Sequence, residues 1–173
     1  GNQWNSFTEA NYSLGNNKSD WIVGANIYSD DFEEQNSTNP RNQRNVTFGA
    51  FGNNTTDFSD KWVLESGFRT DYSPDWGVFA LPRVSLLWKA SNKFSSRIGG
   101  GLGYKIPDIF TEEAAQLNFQ NVLPIDKDNI NAERSFGLNF DINYKGTIAD
   151  KITFSVNQLF YLTMAFLMKL KSY

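Results

Sequence analysis

Charge is sorted by parity along this chain. Through most of its length the sequence alternates with period two, the mark of strands whose two faces meet different surroundings. The first segment sets Trp4, Ser6, Thr8, Ala10, Tyr12 and Leu14 against Asn5, Phe7, Glu9, Asn11 and Ser13. The second gives Trp21, Val23, Ala25 and Ile27, and the third, more weakly, Val46, Phe48 and Ala50. The fourth sets Trp62, Leu64, Ser66, Phe68, Thr70 and Tyr72 against Val63, Glu65, Gly67, Arg69 and Asp71. The fifth sets Pro82, Val84, Leu86 and Trp88 against Arg83, Ser85 and Leu87. The sixth sets Phe94, Ser96, Ile98, Gly100, Leu102 and Tyr104 against Ser95, Arg97, Gly99, Gly101 and Gly103. The seventh sets Phe136, Leu138, Phe140, Ile142 and Tyr144 against Ser135, Gly137, Asn139, Asp141 and Asn143, and the eighth sets Ile152, Phe154, Val156, Gln158, Phe160 and Leu162 against Thr153, Ser155, Asn157, Leu159 and Tyr161. The charged residues Glu9, Glu65, Arg69, Asp71, Arg83, Arg97 and Asp141 all belong to the second set. One face of every strand therefore refuses charge.

A face in hydrocarbon does that, because a mid-bilayer Arg or Lys costs ~2–4 kcal/mol. A soluble sandwich also alternates, but its polar face is the outer one and carries scattered Lys and Glu. Segment length points the same way: most run to about ten residues, near the ~9–11 that a tilted strand needs to cross a membrane, against five or six in globular proteins. Connections alternate too. Gly15 to Ser19, Phe58 to Asp60, Ala90 to Lys93 and Gly146 to Asp150 read as short turns, whereas Asp30 to Gln43, Ser73 to Ala80 and Ile106 to Asn131 read as longer polar loops. Aromatics on the charge-free parity gather near the short turns (Tyr12, Trp21, Trp62, Trp88, Phe94, Tyr144, Phe154) and near the long loops (Trp4, Tyr72, Tyr104, Phe136). Amphipathic rings prefer headgroup depth, so these form two girdles. The expected fold is all-β: an antiparallel up-and-down meander of about eight strands, a partial outer-membrane β-barrel.

Composition agrees. Aromatics make up 16% of the 173 residues, yet mean hydropathy is negative. The chain has no Cys and no His, so disulfides, thiolate metal sites and a Ser-His catalytic pair are impossible, and no isolated carboxylate pair stands out; no enzyme is expected. A net charge of −3 argues against nucleic acid as a partner. No apolar run reaches the ~18 residues of a membrane helix, and no export signal is present. A barrel must be exported, so the chain is expected to be an internal piece of something longer. Residues 1–163 read as barrel and 164–173 as an atypical tail, because alternation stops at Met164 and Lys169 and Lys171 fall on the charge-free parity with Tyr173.

The stretch from Leu81 through Pro82-Arg83 to Trp88, a short turn, and then Arg97 to Pro107 (RIGGGLGYKIP) resembles TonB-dependent receptors. The acidic Glu112-Glu113 and the strand opening Glu133-Arg134-Ser135 extend the likeness over roughly residues 81–145. The resemblance implies an outer-membrane, 22-stranded barrel closed by a plug, taking up a scarce ligand such as a siderophore or cobalamin with energy delivered through TonB. The implied partners are outer-membrane lipid, the N-terminal plug domain and remaining strands, the TonB complex through that plug, and a small extracellular ligand. No cofactor is implied. The alternative is a complete small eight-stranded barrel with a structural or adhesive role, since eight strands can close.

Ligand contacts are expected on the long loops, because loops carry binding on rigid scaffolds. Trp76 and Phe79 mark one tip; Phe110 and Glu112 mark another. Such aromatics grip a ligand or pack the loops together. The acids Asp30, Asp31, Glu33 and Glu34 read as a solvated loop, with Ca²⁺ binding the minority reading. Gly99, Gly101 and Gly103 leave room for a plug or mark a local bend. Arg83, Arg97, Glu65, Arg69 and Asp71 form a charged inner wall.

Overall fold

The computed structural model describes residues 2–33, 42–107, 131–148 and 152–167. Eight strands follow one another: β1 (Asn2–Gly15), β2 (Ser19–Glu33), β3 (Asn42–Ser59), β4 (Trp62–Ser73), β5 (Gly77–Lys89), β6 (Phe94–Lys105), β7 (Glu133–Ile148) and β8 (Ile152–Leu167). Each pairs antiparallel with the next, giving a single eight-stranded meander in sequence order. β1 and β8 lie at opposite ends and do not pair, so the sheet is open.

Polar residues close the short turns. The Asn16 Oδ1 accepts from the backbone N–H groups of Lys18 and Ser19 at 2.9 and 3.0 Å. Ser91 Oγ does the same for Lys93 and Phe94 at 3.2 and 3.1 Å. Side-chain acceptors two or three residues upstream are how Asn and Ser hold a tight reversal.

The register bears out the two faces. Trp62 stands opposite Trp88, Leu64 opposite Leu86, Leu86 opposite Ile98, Ile98 opposite Phe140 and Phe140 opposite Phe160. Across β1 to β3, Ala10, Ala25 and Ala50 share one row. Exposure is then inverted relative to a soluble domain. Phe68 and Val84 are each 54% exposed on the charge-free face, while Asp71 and Asn26 on the other are 3% and 5% exposed. Buried polar groups beneath exposed apolar ones are the informative departure from ordinary burial. Aromatic rings line the short-turn rim: Trp62 stacks on Trp88 at 5.9 Å, Trp88 meets Phe94 edge-on at 6.2 Å, and Tyr144 lies 6.2 Å from Phe154.

Four details differ from the sequence reading. β3 runs for 18 residues, well past Ala50. Its polar continuation is held by a cross-strand bond, Asn54 Nδ2 donating to Ser19 Oγ at 2.8 Å, and by one within the strand, Thr56 Oγ1 donating to Asn54 Oδ1 at 2.6 Å. The connection expected as a long loop from Ser73 to Ala80 is a tight turn, since Ser73 already pairs with Gly77. Pro74 sits where its fixed φ suits a turn, Trp76 N–H donates to Ser73 O at 3.2 Å, and Gly77 takes the left-handed φ of 83° that a side chain resists. β8 continues through Met164 to Leu167, with Met164 opposite Phe136; residues 168–173 lie outside the described residues. Finally, Tyr104, counted on the charge-free face, turns its hydroxyl to the charged one.

Candidate functional site: the charged face

A polar ladder crosses this face from β1 to β6. Tyr104 O–H donates to Asp71 Oδ2 at 2.9 Å. The opposite oxygen, Asp71 Oδ1, lies 2.7 Å from Arg69 Nε. Arg69 Nη2 donates to Asn26 Oδ1 at 3.1 Å, and Asn26 Nδ2 to Glu9 Oε2 at 3.3 Å. Arg69 and Tyr104 each reach over an intervening strand, about 9–10 Å of sheet. A sheet curled toward its charged face permits that. The strand crossed by Arg69 carries Gly49, opposite both Asn26 and Asp71. A Cβ at Gly49 would stand 2.5 Å from Asn26 Oδ1, 2.6 Å from Arg69 Nη2 and 2.7 Å from Asp71 Oδ1. The missing side chain is the space in which the ladder forms.

Tyr104 gets there through a seam. β5 and β6 pair from Lys89↔Ser95 up to Arg83↔Gly101 and no further. The next β5 residue is Pro82, which has no N–H to offer a ladder. Above it Phe79 and Tyr104 stack face to face, with centroids 3.8 Å apart and planes 5° apart. The Arg134 guanidinium lies 5.3 Å from the Phe79 centroid and donates to Val78 O at 3.3 Å. Aromatic and cation–π contacts thus replace backbone pairing where the two strands part.

Beside the seam lies an open hollow of about 420 Å³, lined by Gly101, Gly103 and Gly137 and by Glu65, Arg83 and Arg97 among others. Arg97 Nη1 lies 3.6 Å from Glu65 Oε2. Of the glycines expected to leave room for a plug or to mark a bend, Gly101 and Gly103 line this hollow and Gly99 does not.

Solved structures with a similar fold are named as receptors and a transporter. The siderophore receptor PirA from Pseudomonas aeruginosa superposes with a TM-score of 0.64 at 17% identity, covering 84% of this chain and 28% of its own. The ferric enterobactin receptor PfeA from the same organism gives 0.63 at 13% identity over 90% and 26%. The copper transporter OprC gives 0.62 at 14% identity over 83% and 28%. The chain has the fold of a TonB-dependent receptor barrel wall. It spans about a quarter of the length of the receptors it matches. No protein-family model matches the sequence, and a comparison with curated proteins found no match.

Within this barrel wall the four candidate contact residues fall differently. Trp76 lies in the β4–β5 turn, half-buried, and its indole Nε1 is covered and has no hydrogen-bond partner among the described residues. Phe79 is 2% exposed beneath Tyr104, a packed residue of β5 rather than a free tip. Phe110 and Glu112 lie outside the described residues. The acidic stretch is engaged in part: Gln3 Nε2 donates to Asp30 Oδ1 at 3.2 Å, and Arg44 Nε lies 4.0 Å from Asp31 Oδ2. Among the described residues no cluster of three metal-ligating side chains occurs.

The ladder as a unit escaped the sequence. Glu9, Arg69 and Asp71 were assigned to the right face, but their convergence depends on register, and Asn26 and Tyr104 carry no signal of it. A glycine inside an alternating strand, Gly49, was the available clue.

Proposed function

We propose that this chain is a stretch of the barrel wall of an outer-membrane receptor that takes up a scarce ligand, such as a siderophore or another metal chelate, with energy delivered through TonB. The observation that carries this reading is the inversion of the two faces: large apolar side chains such as Phe68, Val84 and Ile98 stand exposed on one, while Asp71 and Asn26 are buried on the other. Strands of 12 to 18 residues exceed the ~9–11 needed to cross hydrocarbon. The solved neighbours named for siderophores, enterobactin and copper support a small extracellular ligand. The open sheet favours a larger barrel over a complete small one, whose first and last strands would pair. In this reading the inward wall meets a plug, and contact at the β4–β5 tip falls to Trp76, with Phe79 packed at its base and Phe110 and Glu112 serving on the β6–β7 loop.

The test uses the whole protein that carries this chain, expressed with its flanking sequence. Leu138→Arg is expected to cut the amount of folded, heat-modifiable protein in the outer-membrane fraction at least several-fold, because it sets a charge in hydrocarbon at ~2–4 kcal/mol. Asn139→Arg, one residue away on the inward face, is expected to assemble normally. Metal-starved cells are then offered ferric siderophores, copper chelates and cobalamin, with and without the protein. Equal assembly of the two variants defeats the membrane reading; normal assembly with no change in uptake of any metal chelate or cobalamin defeats the receptor reading.

A further inference from the structure

The charge-free face carries a groove of its own. It is open, about 480 Å³ in volume, and lined by Val84 and Leu86 of β5, Ile98 and Leu102 of β6, and Phe136 and Leu138 of β7. Register explains the dip. Ser66, Val84 and Gly100 follow one another in a single row, opposite Leu138 at its end. The neighbouring row toward the short turns holds Leu64, Leu86, Ile98 and Phe140, and the one toward the long loops holds Phe68, Pro82, Leu102 and Phe136. Leu138 leans across Gly100, its Cδ2 lying 2.8 Å from where a Cβ would stand, and so forms one bank of the groove. Arg83 also borders the groove, but its side chain lies over Gly67 on the other face, 2.7 Å from Nε to where the Gly67 Cβ would be. Pro82, at the point where β5 leaves β6, has no N–H to leave unpaired in an apolar setting.

Depth decides what can enter. Trp62 of the short-turn girdle lies four residues from Ser66, and Tyr72 of the other girdle lies six residues from it. At ~3.3 Å per residue the groove is about 13 Å from one girdle and about 20 Å from the other along the strand. In the membrane reading proposed above, headgroups and water stay at the girdles, and only hydrocarbon is present at this depth. A chain lying on a flat sheet touches protein on one side, whereas a chain in a groove is touched on three and gains dispersion contacts accordingly.

We infer that this groove holds one acyl chain of a membrane lipid in a fixed place on the barrel wall, between Val84 and Leu138. The inference rests on the membrane reading and adds to it a specific lipid site where the face would otherwise meet only exchanging lipid.

The experiment uses the full-length protein that carries this chain, reconstituted in phosphatidylethanolamine–phosphatidylglycerol vesicles and checked for heat-modifiable migration. A phosphatidylcholine with a diazirine in mid-chain is the probe, and peptide mapping after irradiation reads the labelled residues. Leu138 and Leu162 are register partners, so they share residue type and depth. Leu138 lines the groove and is 41% exposed, against 54% for Leu162 outside it. Bulk lipid therefore labels Leu162 at least as much, whereas a held chain is expected to label Leu138 several-fold more. Val84→Phe fills the groove from its other bank and is expected to bring Leu138 down to the level of Leu162, with Leu162 unchanged. Equal labelling of the two leucines in the parent overturns the inference, and that comparison stands without the variant. Labelling of Leu138 that ignores Val84→Phe overturns it as well. Labelling of Leu138 that falls as protein is crowded into the vesicles, while Leu162 holds, assigns the groove to a second copy and overturns it too. Normal assembly of Asn139→Arg but not Leu138→Arg, together with equal labelling, would remove the lipid site and leave the membrane reading standing.

Discussion

Gly49 shows what a single missing side chain does on this sheet. Three bonded polar atoms, from Asn26, Arg69 and Asp71, occupy the space its Cβ would take, all within 2.7 Å. Each belongs to a flexible side chain, yet none can retreat without lengthening a bond to another. Asp71 and Asn26 are almost fully buried, so a lengthened bond is not repaired by water. On the same strand Gly52 points the other way, and its Cβ would meet nothing nearer than Val23 Cγ1 at 3.8 Å. Gly49→Ala is therefore expected to destabilise the folded barrel by ~1–3 kcal/mol, from overpacking and a disrupted charge-assisted network. Gly52→Ala is expected to stay within ~0.5 kcal/mol of the parent. Urea unfolding in lipid vesicles measures both, and equal midpoints for the pair would remove the ladder from the account of stability.

At the scale of elements, the seam between β5 and β6 is the place where pairing gives way to side chains. Tyr104 serves it twice, through its ring on Phe79 and its hydroxyl on Asp71. The two contributions separate by substitution. Tyr104→Phe keeps the stack and loses a hydrogen bond to a carboxylate, ~1.5–3 kcal/mol. Tyr104→Ala loses the stack as well, a further ~0.5–1.5 kcal/mol beyond the area lost, and leaves Arg134 over a half-covered ring. Backbone hydrogen exchange at Val78 to Leu81 is expected to rise modestly in the first variant and strongly in the second. Faster exchange in Tyr104→Phe than in Tyr104→Ala contradicts the division. The seam also marks where the sequence stops being legible. Period-two alternation carries face identity along a strand, so all eight strands and their parities can be read from residues such as Leu138 and Asp141. It carries nothing about where a ladder ends. Pro82 has no N–H to give a ladder, but that Tyr104 swings through the gap beside it depends on the register of three strands. The turn at Pro74 and Gly77 failed for a simpler reason: a polar run of turn-forming residues reads as a long loop until Ser73 and Gly77 are known to pair.

For the whole molecule, the decisive geometry is the distance between the two free edges. Seven strand steps separate β1 from β8, and at about 4.8 Å a step the sheet measures about 34 Å along its width. In a closed eight-stranded barrel the same two strands would be hydrogen-bonded neighbours. Disulfide chemistry tells these apart, because bridged Cα atoms lie within about 7 Å, and a chain without cysteine gives no background from these residues. Asn143 and Asn157 face each other across β7 and β8, so Asn143→Cys with Asn157→Cys is expected to cross-link efficiently in oxidised outer-membrane preparations. Thr8→Cys on β1, combined in turn with Val156→Cys, Gln158→Cys or Phe160→Cys on β8, is expected to give no intramolecular link above the single-cysteine controls, because in the proposed receptor barrel other strands stand between them. A link in any of these combinations as complete as the β7–β8 control would mean that β1 and β8 close on each other. The chain would then be a small barrel in its own right, too narrow to hold a plug, and the hollow above Gly101 and Gly103 would be filled by side chains from the facing wall.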